Sequence, residues 1–347
     1  MSSFTHLRVN GFSDCHVQGI AVDKNREYLY LSFTTSLIKT DFQGNIVGSI
    51  KGIIGHLGCL AYNPDDGRVY ASLEHKDDII GKGILEKLDK KIELPNSFYV
   101  VSFDADKIVR PDMDAEKDGI MKAVYLKDVC EDYMADGHRY GCSGIDGITF
   151  APKPGETSGN YLYVAYGIYG DIKRKDNDYQ ILLRYDTENF AKYELPLEKN
   201  KLHTSGPDSA DDKYFIYTGN TNFGIQNLEY DADNRCLFAA VYKGRKIRFP
   251  NYSMFAVDMG QCEKIKKLRG LDESAKTLDL KKFPYFSSRG SISGCRFLYG
   301  STGMISLGKN RFLFSEDFKD NNGYGTEVCS YILDCEKGFI KKEIDIS

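Results

Sequence analysis

The chain has 347 residues and a formal net charge of −4, with 46 Lys and Arg against 50 Asp and Glu. That balance argues against nucleic acid or an anionic membrane as the main partner, and no apolar run approaches the length of a membrane span. Tyr (24) and Phe (20) are abundant and Trp is absent, so aromatic packing falls to those two residue types.

The opening MSSFTHLRVN lacks the apolar core of a signal peptide, which fits a cytoplasmic protein or a secreted one whose leader has been trimmed. No Pro/Ser/Gly-rich linker divides the chain, so one domain over 1–347 is expected. The nine cysteines include no C-x-x-C pair, and an odd count fits neither a disulfide framework nor a zinc ribbon. Cys59, Cys236 and Cys329 fall inside strand signals, where they read as reduced packing residues.

Taken in order, five apolar segments open five repeats: HVQGIAVD (16–23), HLGCLAYN (56–63), GIDGITFA (144–151), GIQNLEYD (224–231) and STGMISLG (301–308). Each is followed by a second strand, EYLYLS, RVYASL, YLYVAY, CLFAAV or RFLFS, rich in the aromatic and β-branched residues that strands favour. A third strand then closes on Asp41, Asp104, Asp186, Asp258 or Asp334. These aspartates read as hairpin formers, because the side chain can bond the backbone two residues on. The polar segments NIVGSI, KAVYLK, AKYELP, EKIKKL and FIKKEI are the expected outer strands. A fixed-order strand repeat is the signature of a radial β-propeller, and the count is five four-stranded blades, with six blades as the alternative. A β-sandwich would not repeat the same order and the same terminal Asp.

In such blades the loop entering the first strand and the loop joining the second to the third lie at one end. Those loops are long here, after Leu73, Tyr166, Val241 and Ser315 and across 127–143, 196–223 and 269–300. Long loops on one face of a rigid scaffold carry binding or catalysis. The ring at that mouth is predicted to hold His16, Gln18, His56, Asp146, Gln226, Asn227, Ser301 and Thr302 from strand starts, and Glu74, His75, Tyr166, Tyr242 and Glu316 from strand ends.

His16, His56 and His75, with Glu74 and Glu316, are the candidate catalytic groups, since imidazoles titrate near working pH and carboxylates can serve as acid or base. A pair of hydrogen-bonded channel histidines is the plainer reading of His16 and His56. Gln18, Tyr140, Tyr166, Gln226, Asn227, Tyr242 and Thr302 are the candidate ligand contacts, the tyrosines as sugar-stacking faces. Gln226 and Asn227 are adjacent in a strand and cannot point the same way, so one of them is expected to satisfy backbone. Asp146, in SGIDGI, is a candidate cation ligand among small neighbours, or equally a loop cap. Asp171, Asp176 and Asp178 in YGIYGDIKRKDNDYQ form a second candidate calcium site, although the intervening Lys173, Arg174 and Lys175 could pair with them instead. SEDFKDNNGYG (315–325) reads as a lid over the mouth or an ordinary solvated loop.

The unit GIAVD, YLYLS and LIKTDFQGNI resembles the repeat of NHL and SMP-30/gluconolactonase-type propellers. That resemblance implies a divalent cation on the channel axis and metal-assisted hydrolysis of lactones or esters. Gln18 stands where that group carries an axial carboxylate, and those propellers are usually six-bladed. No G-x-S-x-G elbow, phosphate-binding loop, dinucleotide fingerprint or H-E-x-x-H occurs. The expectation is a hydrolase-type enzyme acting on a small polar ligand such as a sugar or sugar acid, with Ca2+ as the candidate cofactor. A non-catalytic propeller that binds a ligand or a protein is the competing reading.

Overall fold

Strands such as YLYVAY are apolar on successive residues rather than on alternate ones, and the reason is burial on both sides. In Tyr161–Ile168, Leu162, Val164, Tyr166 and Ile168 pack toward one neighbouring sheet, while Tyr163 and Ala165 pack toward the other. The same parity splits Tyr28–Phe33, with Leu29, Leu31 and Phe33 on one side and Tyr30 on the other. Side chains alternate across a strand, so a strand between two sheets must be apolar on both faces.

The computed structural model describes residues 3–13, 15–88, 92–199, 201–321 and 323–346. It is a five-bladed β-propeller. Five apolar clusters fill the five junctions, blade 1 to 2, 2 to 3, 3 to 4, 4 to 5 and 5 back to 1, so hydrophobic burial closes the ring.

Blade 1 runs outward through Val17–Val22, Tyr28–Phe33, Ser36–Asp41 and Ile46–Lys51. Blade 2 uses His56–Asn63, Arg68–His75, Ser97–Asp104 and Met121–Tyr125. Blade 3 uses Cys142–Ala151, Tyr161–Ile168, Tyr179–Tyr185 and Asp212–Tyr217. Blade 4 has Thr221–Asp231, Cys236–Lys243 and Met254–Asp258, and bridges from Met254 to Cys295 and Val257 to Leu280 stand in for its fourth strand. Blade 5 has Met304–Gly308, Arg311–Asp320 and Gly323–Asp334, then takes the amino-terminal strand His6–Ser13, with His6 opposite Cys329 and Val9 opposite Thr326.

The first three strands of every blade fall where the repeats place them, but the outer strands correct the expectation. NIVGSI and KAVYLK are fourth strands. AKYELP is not: Leu195–Pro196 lies against the outer edge of blade 2, and blade 3 takes its fourth strand from 212–217, within the expected entering loop. EKIKKL extends the blade 3 sheet through Ser274–Leu278 rather than closing blade 4. Gly338–Lys341 pairs only the carboxyl-terminal end of Gly323–Asp334, and His6–Ser13 takes the rest. Leu195–Pro196, Lys264–Lys267 and the end of Gly338–Lys341 are exposed, so their polar sequences do not say which edge they join.

The terminal aspartates act as turn formers. Asp41 Oδ1 accepts from Gln43 N at 2.9 Å, Asp186 Oδ1 from Glu188 N at 3.0 Å, Asp258 Oδ1 from Gly260 N at 2.9 Å and Asp334 Oδ1 from Glu336 N at 2.9 Å. Asp104 pairs with Lys107 at 2.8 Å. No disulfide forms among the described residues, and Cys59, Cys142, Cys236 and Cys329 are buried. Among the described residues, no helix is long and apolar enough to cross a membrane.

The loop between the second and third strands of blade 2 carries helix α1 (Ile79–Lys87), whose Asp78 cap accepts from Gly81 N. Helix α2 (Lys127–Met134) enters blade 3. The expected lid at 315–325 is instead a continuation of the blade 5 hairpin, Asp317 opposite Thr326 and Lys319 opposite Tyr324, with Asn322 outside the described residues.

Candidate functional site

Four first strands share an irregularity at one level. Their registers shift between Val17 and Gly19, Leu57 and Leu60, Ile145 and Ile148, and Ile225 and Asn227. A bulge bends a strand and re-aims the side chain at the extra residue. Here it places Gln18, Gly58, Asp146 and Gln226 at equivalent positions, and Gln18, Asp146 and Gln226 line a cavity of about 420 Å³ at the channel mouth. His16, His56, Glu74, Lys76, Tyr242 and Tyr324 also line it, and Ile80, Ile84 and Lys87 of α1 form one side.

Blade 2 contributes no side chain at Gly58. An ideal Cβ there would lie 2.4 Å from Asp146 Oδ1, so the carboxyl of blade 3 leans over the backbone of blade 2, where Cys59 N donates to it at 3.3 Å. Asp146 is 5% exposed. Burial pushes its pKa up to about 7; neighbouring His56 opposes the shift and Glu74 adds to it.

Glu74 is the hub of a buried charge cluster. Lys76 Nζ lies 2.5 Å and His56 Nδ1 3.4 Å from its Oε1, and Ile145 N donates to Oε2 at 3.1 Å. Gly144, at φ 121°, leaves the room: a Cβ there would come within 2.0 Å of Glu74 Oε2. Burial alone would raise the Glu74 pKa, but Lys76 and His56 outweigh it and hold it below the usual range. Burial likewise opposes charge on His56, and Glu74 with Asp146 more than compensates, raising its pKa. His16 differs: burial, with His56 and Lys87 adding, lowers its pKa, and its Nε2 lies 3.3 Å from Gln18 Nε2.

The structure therefore brings His16, Gln18, His56, Glu74, Asp146, Gln226 and Tyr242 together and removes the other candidates. His75 faces away from Glu74 by strand parity; its Nε2 meets Ile54 O at 2.8 Å, its Nδ1 meets Ser97, and burial lowers its pKa to about 4. It borders a neighbouring cavity of about 460 Å³ on the other side of α1. Tyr166 is fully buried and donates to Asp132 at 2.9 Å. Tyr140 packs edge-on against Phe215 in the junction of blades 2 and 3. Neither offers a face to a sugar.

Asn227 is the member of the Gln226–Asn227 pair that satisfies backbone. Its amide donates to Gln18 O at 2.8 Å and Ser301 O at 3.0 Å, stitching blade 4 to blades 1 and 5. Thr302 donates to Ser315 O at 3.3 Å. Glu316 accepts from Tyr331 at 2.7 Å, pairs with Lys341 at 3.0 Å and lies outside the mouth cavity.

Two residues were missed. Lys76 follows Glu74 by two positions, and strand alternation put it on the channel side. Glu229, deeper in the same strand as Gln226, is half-buried; desolvation of its carboxyl pushes the pKa up to about 8, and it accepts from Ser306 N at 2.8 Å. Its signal was a carboxylate in the middle of a first strand, the innermost of its blade.

The cation implied by the repeat resemblance does not fit these donors. The carboxylate nearest His56 already holds the Lys76 ammonium, which leaves Asp146 without a second free carboxylate. In the blade 3 loop, Asp178 is buried against Lys246 at 2.5 Å and Arg248, Asp176 is held by Arg174 at 2.7 Å, and Asp171 accepts from Lys173 N at 2.8 Å. Of the intervening cations only Arg174 pairs with an acid of this loop; Asp178 takes its counter-charges from Lys246 and Arg248.

No family model matches this chain, and no curated protein matches it in sequence. Among solved structures, it is similar to the Dos1 propeller (12% identity, TM-score 0.38, covering 95% of this chain and 70% of that one). It is also similar to a functionally unknown protein from Desulfotomaculum acetoxidans DSM 771 (11%, 0.36, 93% and 73%). A third is Kuenenia stuttgartiensis hydrazine synthase (11%, 0.34), where 94% of this chain spans only 65% of the other.

Proposed function

We propose that the channel mouth is the active site of a hydrolase acting on a small polar ligand, a sugar or sugar-acid derivative. One observation carries this reading: two carboxyl groups share a cavity with opposite protonation. Glu74 is held ionised by Lys76, while Asp146 retains its proton up to a pKa of about 7. Environments that push paired carboxyls apart are the mark of an acid/base assignment.

In this reading Asp146 donates its proton to the leaving oxygen, and neutral His16 takes one from the attacking water, so the water is consumed and the protein's net proton count is unchanged. Protonated His56, with Lys87 at the rim, favours a ligand bearing a carboxylate. Tyr242 and Tyr324 supply aromatic surface for a ring. The repeat-level likeness to SMP-30/gluconolactonase-type propellers supports the same reaction class, but no step is routed through a metal.

The test is a thermal-shift screen of sugar acids, lactones, esters and glycosides, followed by turnover of the hits by wild type and Asp146→Asn. A hit turned over by wild type, with kcat lowered by ~100-fold or more in the variant, supports the assignment. Hits that bind without turnover would transfer the site to the non-catalytic reading.

A further inference from the structure

The net charge of −4 conceals a strong local asymmetry. From 243 to 257 the chain carries four cations and no acid, and from 280 to 315 six cations and no acid. Parts of these two stretches meet on the long-loop side of blade 4. Ser253 Oγ donates to Phe297 O at 2.6 Å and accepts from Phe297 N at 2.9 Å, and an open basin of about 540 Å³ is lined by Pro250, Tyr252, Tyr285, Arg289 and Arg296 among others. The loop 244–253 is also tied to the blade 3 loop, where Lys246 Nζ donates to Arg174 O at 2.7 Å and Asn177 Oδ1 at 2.6 Å. The three segments form one continuous surface.

That surface is amphipathic. Ile247 is 94% exposed, Leu298 82% and Ile172 57%. They stand among the exposed cations Lys173, Lys175, Lys243, Arg245, Arg289 and Arg296, with Arg248 already paired to Asp178. The acids of the blade 3 loop subtract little, since Asp178 is buried and Asp176 is held by Arg174, leaving Asp171 as its exposed carboxylate. A branched aliphatic side chain left almost wholly in water between cations has no folding role in this chain.

We propose that this face docks on an anionic lipid bilayer, with Lys243, Arg245, Arg289 and Arg296 at the headgroups and Ile247 and Leu298 inserted between them. Charge complementarity selects an anionic surface. The exposed side chains at the loop tips are aliphatic rather than aromatic, which suits acyl chains and offers little for stacking on nucleobases. Tyr252 and Tyr285 line the adjoining basin, and tyrosine is a residue that membrane interfaces favour.

The experiment is co-sedimentation of the full chain with vesicles of phosphatidylcholine alone and of phosphatidylcholine containing phosphatidylserine. Binding to the anionic vesicles alone, weakened by added salt, is expected. Lys243→Glu/Arg245→Glu/Arg296→Glu should lower that partitioning by ~100-fold, at about fivefold per cation. Ile247→Ser/Leu298→Ser should lower it by ~10-fold or more while leaving the salt dependence in place. All five positions are exposed, so circular dichroism of each variant should match wild type. Asp146→Asn should bind vesicles as wild type does, which separates this proposal from the channel site. Equal binding to both vesicles, binding to neither, or full binding by the Ile247/Leu298 variant would each overturn it, the last by reassigning the face to a soluble polyanion.

Discussion

The carboxyl of Asp146 occupies the space that a side chain on Gly58 would need, 2.4 Å from an ideal Cβ there. One blade gives up its residue at the bulge level and the next blade's acid takes the vacancy. Gly58→Ala should therefore displace Asp146 and also crowd Ser72 Oγ, which lies equally close to that Cβ. Denaturant unfolding should show a loss of ~1–3 kcal/mol. Adding Asp146→Ala should cost less in the Gly58→Ala background than in wild type, giving a coupling of at least ~0.5 kcal/mol. Strict additivity would mean that the two residues do not compete for one space.

Protonation of Asp146 links stability to pH. Its folded pKa is raised, so the folded chain binds the extra proton and the stabilisation is complete below the unfolded value near 4. It is lost as pH rises through about 7, on the order of 4 kcal/mol across that window. Asp146→Asn should flatten the decline in melting temperature between pH 4 and 7. Glu229, raised to about 8, acts in the same direction and leaves a residual slope above pH 7. An unchanged slope in the variant would place the titration elsewhere.

Turnover of any substrate found should follow a bell in pH. The acid limb reports His16, lowered below its usual value, and the alkaline limb reports Asp146 near 7. In Asp146→Asn the alkaline limb should vanish with most of kcat, and in His16→Gln the acid limb should vanish.

Lys76 and Glu74 are a buried pair, each side chain under 10% exposed. Lys76→Met leaves the carboxylate without its main counter-charge and should cost ~3–5 kcal/mol in urea unfolding. Glu74→Gln removes the hydrogen bond and charge that do most to raise the pKa of His56, leaving Asp146 alone against burial and Lys76. An NMR titration should show that imidazole moving from above its usual pKa to below it; a constant value would exclude Glu74 as the cause.

The repeat order, five blades and the turn-forming aspartates were legible because each is local: a run of apolar residues, then an Asx turn. The mouth was legible in part. His16, Gln18, His56, Glu74, Asp146, Gln226 and Tyr242 follow from aligning strand starts and ends. Tyr166 and His75 failed because a strand buried on both faces hides its parity, and only the neighbouring sheets reveal which way each residue points. Tyr140 and Glu316 failed because loop path and hairpin length decided their surroundings. Gly58 carries its message by lacking a side chain, which no search for chemical groups would notice. The outer strands of blades 3 and 5 come from distant segments, and a non-local pairing leaves no local pattern.

The strand His6–Ser13 completes blade 5 by lying against residues 324–329. On a ribosome, this strand must wait for a partner made more than three hundred residues later. Until then the nascent protein is an open arc with two raw sheet edges, each able to pair with another molecule. Closure is thus a late event of high contact order, and a chain shortened at either end of that pairing would be left adhesive rather than merely less stable.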